Sequence, residues 1–205
     1  MAIVVTLLVM AAFRAWTLTG PRRTQPIVGP LAAAILVALS GLTPAEVGLV
    51  LTGWGYGVSC ALLIGFGYTV ALLIPAARRA LSAGSYPRPV CSALVGVPLA
   101  TVTFEEVAFR GVLWALIASD HGPVWATAVT AVIFGLWHLA PDPGSLPVVA
   151  FTTLAGGVLG VLRQLSGGLI APFLVHWTAN GLGILVSAAV SRSGRDEPGE
   201  PADPR

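Results

Sequence analysis

The segment Val90–Ala118, which reads VCSALVGVPLATVTFEEVAFRGVLWALIA, decides the fold of this chain. It is longer than the roughly 20 apolar residues that one helical crossing of a bilayer requires. Its charged side chains are Glu105, Glu106 and Arg110. A charge near the centre of a membrane span costs about 3 kcal/mol or more, so ionisable groups there mark a functional site by default. The segment therefore predicts a membrane-spanning helix that carries a buried polar site.

The composition places the whole chain in the same class. Of its 205 residues, 56% are hydrophobic and 10% are charged, and the mean hydropathy is +0.86. A soluble domain has about 25% charged residues. The net charge of +2 provides no basic field for nucleic acid. We therefore expect a polytopic membrane protein that contacts the lipid bilayer and does not bind nucleic acid.

Seven apolar segments, separated by residues typical of turns, are predicted to cross the membrane as helices. Residues 43–54 are interpreted as a helix at the membrane interface with Glu46 on its wet side. The fourth span is long enough to be tilted, or broken near Pro98. The predicted fold is an all-α bundle of about seven transmembrane spans with its site in an intramembrane cavity. The spans cover residues 2–18, 27–42, 57–75, 90–118, 123–140, 147–164 and 168–190.

The positions of the arginines predict the orientation. Cytosolic loops carry an excess of Lys and Arg, and with seven spans three groups of arginines fall on one side. We therefore expect a multi-pass protein of the plasma membrane with its N-terminus outside and its C-terminus in the cytosol. Residues 1–190 would form one transmembrane domain, with a motif-bearing core at about 90–190, and 191–205 a disordered cytosolic tail. The three groups are Arg22 and Arg23; Arg78, Arg79 and Arg88; and Arg192 and Arg195.

The two glutamates of the fourth span differ in their surroundings. Glu106 and Arg110 are four residues apart on one helical face and can form an ion pair. Glu105 is turned about 100° away, where its own helix offers no cation. A carboxylate without such a partner is a candidate general base for water. The alternative is that all three residues form a structural polar clamp between helices.

Three further polar residues lie in the later spans. His138 ends the block Phe134-Gly-Leu-Trp-His138, and His176 and Asn180 are four apart on one helical face. An amide can donate to a developing oxyanion, and a histidine can position water or donate a proton. The predicted span ends put the two histidines roughly 10 Å apart in depth, because one lies near the cytosolic end of its helix and the other nearer the outer end.

Three blocks of residues carry a resemblance to a known family. They are Glu105-Glu106-Val-Ala-Phe-Arg110, Phe134-Gly-Leu-Trp-His138 and His176-Trp-Thr-Ala-Asn180. In this order they match the pattern EExxxR, FxxxH and HxxxN. The chain therefore resembles the CAAX protease and bacteriocin-processing family of intramembrane endopeptidases, which includes the type 2 CAAX prenyl proteases. The resemblance covers about residues 90–190.

This resemblance implies a hydrolase that cleaves a peptide bond at or near the membrane, as in CAAX-type processing of a peptide or membrane-protein substrate. Glu105 is expected to activate the attacking water, with Glu106 and Arg110 as its supporting pair. Two other classes remain open on the same buried residues. One is a non-enzymatic immunity or scaffold protein of the membrane. The other is a small transporter that uses Glu105 and the histidines as a proton relay.

The resemblance also implies roles for the remaining residues. His138 is expected to hold the water or a metal, and His176 with Asn180 is expected to stabilise the oxyanion. The family is classed with the metalloproteases, although a metal-free glutamate mechanism is also proposed for it. Glu105, His138 and His176 would be the ligands of a zinc or other divalent ion. The chain has no HExxH pattern, and we expect that no cofactor is required.

Overall fold

The computed structural model describes residues 1–82, 84, 86–139 and 145–193, and all the regular structure in these ranges is helical. The all-α prediction is confirmed. The helices are α1 (Ala2–Thr19), α2 (Gln25–Ser40), α3 (Pro44–Val47), α4 (Trp54–Leu73), α5 (Pro75–Leu81), α6 (Pro89–His121), α7 (Pro123–Trp137), α8 (Ser145–Ser166) and α9 (Ile170–Ser193).

Within the described ranges, six helices have the length and apolar composition needed to cross a bilayer. They are α1, α2 with the 3-10 turn that precedes it, α4, α6, α8 and α9. They correspond to six of the seven predicted spans, with ends that differ by a few residues. The remaining predicted span, 123–140, corresponds to α7, which has 15 residues. At 1.5 Å per residue α7 is about 22 Å long, shorter than the roughly 30 Å hydrocarbon core.

The outer surface of the bundle is apolar and its interior contains charges. On α4, Leu62, Phe66 and Leu73 are between 65% and 78% exposed. Glu106 and Arg110 on α6 are 1% and 0% exposed. A soluble protein distributes these residue types the other way round. The arrangement is that of a chain surrounded by lipid.

Helix α6 is continuous, so the predicted alternative of a break near Pro98 is not realised. The helix instead contains three π-helical stretches with wider turns, Ser92–Gly96, Pro98–Val102 and Glu106–Leu113. Proline has no N–H to donate, and beyond it the Thr103 hydroxyl donates to the Pro98 carbonyl at 2.7 Å. Wider π turns are frequent at functional sites, and the last of these stretches carries Glu106 and Arg110.

Small residues bring the helices around α6 close together. Gly156 and Gly160, one turn apart on α8, face Ala131 and Thr127 of α7, and a Cβ at Gly160 would lie 2.8 Å from the Thr127 methyl. Gly29 of α2 lies against the backbone of α6, where a Cβ would overlap a carbonyl oxygen. Close contact through small residues is the usual way in which membrane helices associate, because lipid provides no hydrophobic drive between them.

Only one turn of the predicted interfacial segment 43–54 is helical, the four residues of α3. The Thr43 N–H donates to Glu46 Oε2 at 2.7 Å, and the Glu46 N–H donates to Thr43 Oγ1 at 3.3 Å, which closes a capping box. The Thr43 backbone N–H, followed by its hydroxyl, lowers the pKa of Glu46. The Glu46 side chain is exposed, as expected for the wet side.

The loop after α5 meets the C-terminal end of α9. The Gly84 N–H donates to Ser187 Oγ at 3.1 Å, and Ser191 Oγ donates to the Ser82 carbonyl at 2.8 Å. These two regions therefore lie on the same side of the bundle. Residues 191–193, which the sequence assigns to the tail, are the last residues of α9. The rest of the predicted tail, 194–205, lies outside the described residues.

Candidate active site

Glu106 is the centre of the buried polar cluster. Its Oε1 accepts from Arg110 Nη1 at 3.1 Å and from His176 Nδ1 at 2.6 Å. The pairing of Glu106 with Arg110 that the four-residue spacing predicted is therefore present. The contact with His176 links α6 to α9. Sequence reasoning missed this link, because it treated His176 as a partner of Asn180.

Glu105 faces another part of the cluster and is 4% exposed. Its Oε1 accepts from Trp137 Nε1 at 3.1 Å. Its Oε2 has no hydrogen-bond partner among the described residues and lies 3.7 Å from His176 Nε2. No cation of α6 pairs with Glu105 within the described part of the chain, as predicted. Glu105 therefore presents a buried oxygen that is available to a further donor.

The imidazole of His176 lies between the two carboxylates. An ionised carboxylate only accepts hydrogen bonds, so the contact with Glu106 places a proton on His176 Nδ1. The other nitrogen, Nε2, faces Glu105. In the doubly protonated ring both nitrogens are donors, and the two carboxylates balance the resulting charge. The imidazole can therefore donate from Nδ1 to Glu106 while Nε2 faces the carboxylate of Glu105.

One aromatic ring holds three of these groups in place. The Arg110 guanidinium carbon lies 4.1 Å from the centre of the Phe134 ring, a cation–π distance. The same ring contacts His138 and His176 edge-to-face, with centroid distances of 4.8 and 5.8 Å. Phe134 is 3% exposed. Phe134, which begins the second motif block, thus contacts residues of all three blocks.

His138 follows the last residue of α7, and its ring is half-buried. Its Nδ1 lies 2.8 Å from the Phe134 carbonyl oxygen. A carbonyl only accepts, so Nδ1 carries the proton and Nε2 is left as an acceptor in the neutral ring. His138 can therefore accept a hydrogen bond from a water molecule.

The predicted difference in depth does not keep the two histidines apart. Both contact Phe134, because α7 ends at Trp137, three residues before the predicted end of its span, and α9 begins at Ile170, two residues after the predicted start. The error came from the predicted span ends, which turn residues locate only approximately.

Asn180 lies one turn after His176 on α9 but is exposed. Within the part of the chain that the structure describes, its amide makes no hydrogen bond to the cluster. It lines a separate cavity of about 450 Å³, together with Tyr68 and Tyr86. Four of the six predicted site residues, Glu105, Glu106, Arg110 and His176, are thus in direct contact. His138 joins them through Phe134, and Asn180 lies beside them.

A second cavity, of about 270 Å³, has Glu105 and Trp137 in its wall. It lies between the first helix pair and α6. Its remaining lining mixes basic and polar side chains with apolar ones: Phe13, Arg14, Thr17, Arg22, Gln25, Ala100 and Thr101.

Arg163 of α8 is a further buried charge, 5% exposed, that the sequence analysis did not single out. Its Nε donates to the Arg110 carbonyl at 3.1 Å, and its Nη2 donates to the Glu46 carbonyl at 2.9 Å. Its guanidinium carbon lies 4.9 Å from the centre of the Trp114 ring. Arg163 therefore ties the π-helical stretch of α6 to α3. The signal was available, because a charge near the end of an apolar span is costly unless it is paired.

Sequence analysis also missed the contacts that Trp137 and Arg14 make. Trp137 stands directly before His138 and reads as an ordinary apolar residue. Its role shows only in three dimensions, where its N–H reaches Glu105. Arg14 is the one charged residue inside α1.

The residues proposed to hold a metal do not form a ligand set. Among the described residues, no three His, Cys, Asp or Glu side chains converge as metal ligands would. A three-ligand catalytic zinc site needs its donors about 2 Å from one point. Glu105, His138 and His176 do not fit such an ion in this arrangement.

One family model matches the chain. It is described as Rce1-like, type II CAAX prenyl endopeptidase Rce1-like, and it matches residues 87–182, slightly less than half of the chain. The matched range contains all three motif blocks. Neither a curated protein nor a solved structure matches the chain.

Proposed function

Residues 87–182 belong to the Rce1-like family of type II CAAX prenyl endopeptidases, and on this premise we propose that the chain hydrolyses a peptide bond at or near the membrane with Glu105 as general base. The substrate would be a CAAX-type peptide or a membrane-protein tail. The observation that carries the proposal is the state of Glu105: one buried oxygen is held by Trp137, and the other has no hydrogen-bond partner among the described residues.

The reaction can be written with these groups. Glu105 Oε2 takes a proton from a water molecule, and the water oxygen bonds to the peptide carbonyl carbon, whose C=O electron pair moves onto oxygen. When the tetrahedral species collapses, the C–N bond breaks. The leaving amine takes the proton that Glu105 held. A positioned base of this kind contributes roughly 100- to 10,000-fold to the rate.

His176 lies where charge changes during these steps. With protons on both nitrogens it can donate to the oxyanion from Nε2 while Nδ1 stays bonded to Glu106. Glu106 and Arg110 are then positioning residues, because Glu106 accepts from Nδ1 and is itself held by Arg110, so that they fix the ring without contacting the reacting atoms. Donors held in place before the reaction stabilise an oxyanion without reorganisation.

His138 and Asn180 have weaker support from geometry. The free Nε2 of His138 suits a second contact to the attacking water. Asn180 would act only by turning from its exposed position towards the oxyanion once a peptide is bound. Apo hydrogen bonds in active sites often tighten in the substrate complex.

No metal is needed for any of these steps. The metal-free form is favoured, since among the described residues no three His, Cys, Asp or Glu side chains converge as metal ligands would. Elemental analysis of purified protein and activity after exhaustive chelation test this part. Stoichiometric zinc, with activity lost on chelation and restored by zinc, would contradict it.

We place the protein in the plasma membrane with its N-terminus outside. Support comes from the contact between the loop after α5 and the end of α9, since an even number of crossings must separate two regions on one side. The four helices α6 to α9 give an even number of membrane crossings when the short helix α7 also crosses the bilayer. Arg78, Arg79 and Arg192 lie on this side, which the positive-inside rule assigns to the cytosol.

The test of the activity is cleavage of a peptide library by purified protein in liposomes, with products identified by mass spectrometry in water enriched in oxygen-18. We expect cleavage at a defined bond, with one solvent oxygen in each new carboxylate. Folded wild-type protein that cleaves no peptide would contradict the proposal. Proton flux that depends on Glu105 would instead assign the cluster to a transporter.

A further inference from the structure

The cavity beside Glu105 has a basic side that the hydrolytic mechanism does not use. Glu105 and Trp137 form part of one wall of this 270 Å³ space. The two arginines of its lining and two polar residues come from the second half of α1, from the turn before α2 and from the first residue of α2. They are Arg14, Thr17, Arg22 and Gln25.

The two arginines are not neutralised by the protein. Within the described ranges, no carboxylate lies within salt-bridge distance of Arg14 or Arg22. Arg14 is half-buried, and its guanidinium carbon lies 5.4 Å from the centre of the Trp137 ring. The same indole donates to Glu105. Arg14 is therefore attached to the wall that holds the catalytic carboxylate.

We propose that Arg14 and Arg22 form an anion subsite that binds a carboxylate of the substrate peptide next to Glu105. This inference rests on the proposed endopeptidase function. Arginine presents a planar fork of donors that matches a carboxylate, and such charge-assisted pairs are the stronger hydrogen bonds.

Charge balance supports a carboxylate as the ligand. Two guanidinium groups and one carboxylate, that of Glu105, line the cavity. One bound carboxylate makes two positive and two negative charges. The volume is slightly below the roughly 300–1,000 Å³ of pockets for small molecules, so the space suits one peptide residue and not a whole peptide. The carboxylate can come from the C-terminus of the peptide or from an Asp or Glu side chain.

The neighbouring residue Arg23 provides a matched control. Arg22 and Arg23 are adjacent in the turn before α2, both are exposed, and both contribute equally to the positive-inside signal. Arg22 lines the cavity and Arg23 does not. A role in topology alone predicts the same effect for both changes, whereas a subsite predicts an effect for Arg22 only.

The test compares wild type, Arg14→Gln, Arg22→Gln, Arg22→Lys and Arg23→Gln in liposomes of neutral lipid and, separately, in liposomes that also contain anionic lipid. The substrates are a cleaved peptide, its C-terminally amidated form, and a form with its acidic side chains changed to amides. Arg14→Gln and Arg22→Gln should each lower kcat/KM for the parent peptide roughly 10- to 100-fold, mainly through KM. Arg22→Lys should recover part of the loss, and Arg23→Gln should equal wild type.

The modified peptides decide the source of the carboxylate. One of the two modifications should lower the wild-type kcat/KM by a similar factor and make the Arg22→Gln change nearly neutral. The proposal is overturned if Arg22→Gln lowers kcat/KM by the same factor for all three peptides. It is also overturned if Arg22→Gln lowers kcat/KM only in liposomes with anionic lipid, which would indicate a headgroup site.

A binding assay separates this proposal from the activity. Fluorescent forms of the three peptides are titrated into Glu105→Gln protein with and without Arg22→Gln. Carboxylate-dependent binding that requires Arg22, in a wild-type protein that hydrolyses nothing, would keep the subsite and reject the endopeptidase. Hydrolysis with binding that ignores the carboxylate would keep the endopeptidase and reject the subsite.

Discussion

Replacing Arg110 with Met should destabilise the bundle strongly, because it removes the cation from a fully buried ion pair. Arg110 is 0% exposed and Glu106 is 1% exposed. Breaking a buried pair from one side costs about 3–5 kcal/mol. Glu106 keeps its 2.6 Å contact with His176, so we expect the lower end, about 3 kcal/mol. At 2–4 °C per kcal/mol for a chain of this size, the Tm should fall by roughly 6–12 °C.

The assay is thermal unfolding in detergent, followed by tryptophan fluorescence. The double variant Glu106→Gln with Arg110→Met removes both charges and keeps an acceptor for His176, so it should recover at least half of the loss. Arg23→Met is the control for removing an exposed arginine, and should stay within about 2 °C of wild type. An Arg110→Met protein as stable as wild type, or a double variant no more stable than the single, would refute the pairing argument.

Three further predictions follow from individual contacts. Trp137→Phe removes the donor to Glu105, and it should lower kcat about tenfold or more while KM changes little, as steady-state kinetics on a cleaved peptide will show. Gly29→Ala should lower the Tm because a Cβ there overlaps the backbone of α6, whereas Gly67→Ala, which meets open space on α4, should leave the Tm unchanged or raise it. The pKa of Glu46 is lowered in the folded state, so its stabilising effect is present above the unfolded pKa and is lost as the pH falls through the folded one. Unfolding of wild type and Glu46→Gln should therefore differ at neutral pH and converge in acid.

Much of the fold was predictable because a bilayer imposes simple rules on sequence. Apolar runs of about 20 residues gave six of the helices now seen. Composition did not predict the local helix geometry, which depends on individual hydrogen bonds and on proline. Near Pro98 the helix widens into π turns and continues, and in the segment 43–54 the capping box closes after one turn.

The sequence predicted which residues form the candidate site but not the hydrogen bonds that join residues of different helices. Spacing alone gave the pair Glu106–Arg110, since both residues lie on one helix. The bond from His176 to Glu106 and the bond from Trp137 to Glu105 join residues 70 and 32 positions apart. Such contacts depend on how helices pack, which no spacing within one helix encodes. For the same reason the sequence does not give the partners of Arg163, which are two backbone carbonyls on other helices.

The central claim is that Glu105 is the base that activates water. The most direct measurement is the ratio of kcat for Glu105→Gln to wild type on one cleaved peptide, with Tm measured on the same samples. The substitution keeps the shape and leaves an acceptor for Trp137, but removes the basic oxygen. We predict an unchanged fold and a loss of roughly 100-fold or more. A well-folded Glu105→Gln protein whose kcat stays within about twofold of wild type would contradict the account.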